Sequence, residues 1–86
     1  MISAKEHYVA WAALLTELDD AREHLEDLIK RMNETGSVEE SVFSVDLGHV
    51  FAHLNRAWHL RNQPAEISEQ QWAAFSAFPK DLKPVG

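Results

Sequence analysis

Apolar residues recur on a seven-residue spacing through the first third of the chain. Tyr8, Leu15, Arg22 and Ile29 share one position of the repeat, and Trp11, Leu18, Leu25 and Met32 share the other. Leu14, Ala21 and Leu28 widen the stripe. This period predicts an amphipathic helix whose apolar face is of the bundle type. Ser3 and Glu6 stand at capping-box spacing before it, no glycine or proline interrupts it, and Gly36 suits the turn just beyond a helix C-terminus. The first helix is therefore expected over about residues 4–35.

Ser37 and Glu40 repeat the capping-box spacing at once, which predicts a second helix over about 38–62, closed by Asn62, Gln63 and Pro64. So short a connection makes the two helices an antiparallel hairpin. The weak stretch is Ser41–Gly48, where Val42, Phe43 and Val45 also suit a strand. No other segment offers that strand a partner, so the stretch is read as helix, with a kink near Ser44 or Gly48 as the alternative. The second helix has two dissimilar faces. Leu47, Val50, Phe51, Leu54 and Trp58 form an apolar stripe expected to pack on the first helix. His49, His53 and Arg56 form the other, extended by Val42, Val45 and Leu60. On this assignment Leu54→Asp should unfold the chain, whereas His53→Asp should leave helicity intact.

Ile67, Ser68, Gln71 and Trp72 give a third start signal, with a staple residue, N-cap, N3 glutamine and N4 aromatic. The helix it opens is short, about 69–77, because Pro79 ends it. Residues 1–79 thus read as a single all-α domain, and 80–86 as an extended or frayed tail. Antiparallel pairing would bring Tyr8, Trp11 and Trp58 to one end, where Trp72, Phe75 and Phe78 are expected to cover them as an aromatic cluster.

The lengths have a consequence for assembly. A helix over 4–35 is roughly 48 Å long at about 1.5 Å per residue, whereas a compact domain of this size is about 30 Å across. Two such helices bury each other on one side only. Pairing of two hairpins into a four-helix bundle is the simplest remedy, so a homodimer is expected. The surface assigned to that partner, or to another protein, comprises Arg22, Val42, Val45, His49, His53, Arg56 and Leu60. Arg22 is the one charge in the heptad seam, with Asp19 and Glu26 placed to pair with it locally.

Composition narrows the function classes. Hydrophobic residues at 45% and charged residues at 26% are ordinary globular values. The absence of cysteine excludes disulfides and cysteine-containing zinc sites. The net charge of −6 falls in the first half, where residues 1–45 hold ten acids against four Lys/Arg. That argues against nucleic acid or an anionic membrane as a principal partner. Lys5, Glu6 and His7 interrupt any apolar export segment, and no apolar run approaches the 20 or so residues that span a bilayer, so a cytoplasmic protein is expected.

Candidate chemistry is sparse. His49 and His53 are four residues apart on one helix, with Asp46 three residues before His49, a spacing at which zinc or a similar divalent transition metal is bound. Glu17, Asp20, His24 and Asp27 of the first helix are placed facing away from the hairpin. A metal site built on Asp46, His49 and His53 would then need a second protomer. Glu23 and Glu26 supply half of the acidic pairing by which all-α nucleotide pyrophosphatases hold magnesium, but Glu39 and Glu40 are followed by Val42 and Phe43 rather than a matching pair. Nucleophile motifs, glycine-rich phosphate loops and cofactor fingerprints are missing, so no enzymatic activity is expected. The reading is a small helical protein of regulatory, adaptor or immunity type acting through protein–protein contact. The alternative is a metal-binding bundle.

Overall fold

Three helices and no strand make up the chain in the computed structural model, which describes residues 1–86. They are α1 (Tyr8–Thr35), α2 (Glu40–Leu60) and α3 (Glu69–Phe75). None is long and apolar enough to cross a membrane. α2 is continuous through Ser41–Gly48, so the valines there are helical.

The helix ends follow local chemistry. The Ser3 hydroxyl accepts the amides of Lys5 (3.2 Å) and Glu6 (3.3 Å), but it caps a separate turn, and α1 begins only at Tyr8. At the other end Gly36 takes the left-handed conformation (φ 72°) and its amide donates to the Met32 carbonyl, a conformation that costs a side chain-bearing residue about 1 kcal/mol or more. That turn commits Ser37 to Thr35, whose hydroxyl donates to the Ser37 carbonyl at 2.8 Å. Ser37 therefore does not cap α2, whose N-cap is Glu39 with no side-chain bond. At Ser68 the same motif forms with both arms: the Gln71 backbone N–H donates to the serine hydroxyl, and Ser68 N–H donates to the Gln71 side-chain oxygen Oε1.

α1 and α2 pack lengthwise in antiparallel order, since Glu17 meets His53 and Arg56 while Arg31 meets Asp46. α3 packs on α2. The molecule is elongated, 45 × 30 × 23 Å with a radius of gyration of 14.7 Å, against about 12 Å for a compact chain of this length.

The face between α1 and α2 is not the one the largest apolar residues suggest. It is built from Ala10, Glu17, Ala21 and Leu28 of α1 and from Val50, His53, Arg56, Ala57 and Leu60 of α2, all buried. Alanine at three of these positions lets the backbones approach, and the polar residues among them satisfy one another. Phe51 and Leu54, expected inside, are 39% and 40% exposed. His53, Arg56 and Leu60, expected on a free face, are inside. The heptad seam of α1 likewise lies outside the pair, with Leu15, Leu18, Leu25 and Ile29 at 40–50% exposure. The aromatic cluster does not form. Tyr8 is exposed, the Arg56 guanidinium lies over Trp72 at 3.9 Å, Phe75 stacks on His59, and Phe78 meets Phe51 edge-on at 5.4 Å. Residues 80–86 form no helix or strand and are held at Asp81: Trp58 Nε1–H donates to it at 2.9 Å, and Arg61 lies 3.5 Å from the same carboxylate.

Candidate metal centre

Heptad spacing on two antiparallel helices creates the site. His24 follows Glu17 by one heptad on α1, and His49 precedes Arg56 by one heptad on α2. Side chains one heptad apart lie on nearly the same helix face, so when Glu17 faces Arg56, His24 must face His49. His53, one turn after His49, lies between these two layers and touches both.

In the first layer Arg56 Nε–H donates to Glu17 Oε1 at 3.0 Å, and His53 Nδ1 lies 2.7 Å from Glu17 Oε2. Both Glu17 and Arg56 side chains are 6% exposed. A carboxylate only accepts, so the His53 contact requires a proton on Nδ1. Arg56 Nη2, 3.0 Å from that nitrogen, is then a close neighbour and not a hydrogen-bond donor to it. Arg56 is held further by Nη1–H donation to the Ser76 hydroxyl at 2.7 Å, and Asn55 donates to the Ser76 carbonyl at 2.8 Å. These bonds tie the end of α3 to the buried ion pair.

The second layer contains three imidazoles. His24 and His49 have ring centroids 4.0 Å apart, and His53 lies 5.1 Å from the first and 4.9 Å from the second. One ring nitrogen of each lies within 4.8 Å of those of the others. His53 is buried, its Nδ1 is committed to Glu17, and its Nε2 is buried with no hydrogen-bond partner. In the neutral ring that Nε2 carries a lone pair. His49 is held below the ordinary histidine range, first by desolvation of its ring among these side chains, then by His24, His53 and Arg56, with Asp46 pulling the other way.

The residues expected from the sequence fall in different places. His49 and His53 come together, but their third companion is His24 of the same chain, not Asp46, which accepts from Arg31 Nη2 at 2.9 Å. A second protomer is not needed to gather them. His24 and Glu17, expected to point away from α2, both face it. Arg22 is exposed and paired with Asp19 at 2.7 Å and Glu26 at 3.0 Å; the bond to Asp19 is the main reason its pKa is raised. Val42 and Val45 remain exposed, at 44% and 72%.

A neutral imidazole fixed by a carboxylate on one nitrogen and bare on the other is the usual form of a metal-ligating histidine, because the carboxylate sets the tautomer and raises ligand basicity. Of the three rings only His53 has that carboxylate; three imidazole nitrogens are the protein ligand set of zinc sites that keep a fourth position open. No protein-family model, no curated protein and no solved structure matches this chain.

Proposed function

We propose that this chain is a metal-binding helical protein that holds one divalent transition ion, zinc by preference, between α1 and α2 through His24, His49 and His53. The observation that carries the reading is the convergence of three imidazoles on one side of the antiparallel pair, with the buried Nε2 of His53 unpartnered and its Nδ1 fixed by Glu17. An all-nitrogen set suits zinc, copper, nickel or cobalt rather than magnesium or calcium. At about 2.1 Å from each ligand nitrogen, a tetrahedral ion needs them roughly 3.4 Å apart. The site would close on the ion by rotation of His24 and His49, both exposed, around the fixed ring of His53. Three protein ligands leave a position for water or a small anion.

Native mass spectrometry and calorimetric titration of tag-free protein with zinc test the reading. One equivalent per chain is expected, lost in His24→Ala, His49→Ala and His53→Ala and retained in Asp46→Ala. Glu17→Gln should weaken binding about 10–100-fold, the usual effect of removing a carboxylate behind a ligating histidine. Absence of binding, or binding indifferent to His24→Ala, would overturn it.

A second reading, contact with another protein chain, is favoured by a separate observation: the stripe of large apolar residues left outside the pair. It places the functional surface on the side of the molecule away from the histidines, and the two readings are compatible.

A further inference from the structure

The exposed stripe has a geometry of its own. On α1 the seam of Leu15, Leu18, Leu25 and Ile29 is turned roughly 100° from the face that meets α2, by the 3.6-residue period. Leu54 and, farther round, Phe51 on α2 are turned in the same sense, where they line a cavity with Phe78 and Leu82 of the C-terminal segment. Because the helices are antiparallel, rotations of the same sense carry both rows to the same side of the pair. His24, His49 and Arg56 are rotated the opposite way. The molecule therefore has an apolar side and an imidazole side.

We propose that the apolar side is the interface of a homodimer in which α1 packs antiparallel against α1 of a second copy about a two-fold axis near Asp20. The seam is self-complementary in that direction. With the axis there, Leu15 faces the partner's Leu25, Trp11 faces the partner's Ile29, and Tyr8 faces the partner's Met32. Every large apolar residue of the seam except Leu18, which faces the partner's Arg22, then meets another across the core positions of an antiparallel coiled coil. Arg22 then lies close to the partner's Asp19 while keeping its own Asp19 and Glu26, so the single seam charge is complemented by the same surface in reverse. A parallel pairing would instead set Arg22 directly against its own copy.

Surface area points to the same occupant. The chain exposes 6572 Å², whereas a globular monomer of 9.8 kDa exposes about 5,200 Å². The excess, about 1,400 Å², surpasses the roughly 800 Å² that each partner contributes to a standard stable interface. The two-fold dimer would carry its imidazole clusters on its two outer sides, one complete site per chain.

Sedimentation equilibrium in excess EDTA, where no metal contributes, tests the assembly apart from the metal centre. The wild-type chain is expected at twice 9.8 kDa, and Leu18→Glu/Leu25→Glu at the monomer mass with helicity retained. The chain has no cysteine, so orientation is read with introduced ones and a short bis-maleimide. Leu15→Cys/Leu25→Cys should cross-link to dimers. Leu25→Cys alone should not, since the two copies of residue 25 would lie about 15 Å apart along the axis. A wild-type monomer would leave the stripe to a foreign partner and overturn the proposal. Efficient cross-linking of Leu25→Cys alone would overturn the antiparallel arrangement.

Discussion

Glu17 determines the interior of this protein more than any apolar residue does. A carboxylate at 6% side-chain exposure is tolerated only with its charge met, and Arg56 and His53 meet it on both oxygens. Removing one partner of such a buried pair costs about 3–5 kcal/mol, because the remaining charge is stranded. A small domain has only about 5–15 kcal/mol to lose. The expected outcomes of two substitutions follow, and they reverse those suggested by hydrophobicity alone. His53→Asp sets a second carboxylate against Glu17 and should abolish most of the helical circular-dichroism signal at neutral pH. Leu54→Asp, at a position 40% exposed, should keep that signal. Equal loss in both variants would sink this account of the interior. The sequence displayed His49 and His53 plainly as a pair, but their partners were hidden by a reasonable rule that large apolar residues face the neighbouring helix. The readable clue lay elsewhere, in the matching seven-residue offsets from Glu17 to His24 and from His49 to Arg56.

At the scale of elements, period and breakers located all three helices, because heptad spacing, Gly36, Pro64 and Pro79 act locally. Caps were less legible, because identical motifs met different surroundings: Ser68 forms its box with Gln71, while Ser37 is drawn into the left-handed turn at Gly36. The C-terminal tail was illegible because it lacks periodicity, and one polar anchor decides its place. Asp81 has its pKa lowered, chiefly by the Trp58 indole N–H and also by Arg61. Its folded value lies below the ordinary 3.8, so the anchor contributes fully above that pH and is lost as pH falls through the lowered value. The indole N–H resonance of Trp58, followed by NMR in acid, should titrate with a midpoint below 3.8. In Asp81→Ala the transition should vanish and the tail resonances should take coil positions throughout. A wild-type midpoint at or above the ordinary value would refute the anchor.

For the whole molecule, two long helices bury little between them, and the proposed metal centre and the proposed apolar interface would each add to their stability. No large side chain is fully buried, so the antiparallel pair is thinly held by its own core. His24 comes from α1 whereas His49 and His53 come from α2, so an ion shared by them ties the helices together near their middle. The unfolded chain cannot present these ligands together, and binding free energy therefore adds to folding free energy. At free zinc about 100 times the dissociation constant the gain is about 2.7 kcal/mol, which at roughly 4–8 °C per kcal/mol for small domains raises the melting temperature by about 10–20 °C. Scanning calorimetry at one fixed chain concentration, which keeps any dimer contribution constant, should show that rise with zinc and its reversal by EDTA. His24→Ala isolates the cross-link. It is exposed, so its removal leaves the Glu17–Arg56–His53 layer intact and should barely change the metal-free melting temperature. It should nevertheless abolish the zinc-dependent rise. If zinc stabilised His24→Ala as much as the wild type, the ion would be bound on α2 alone, and the site would not join the two helices.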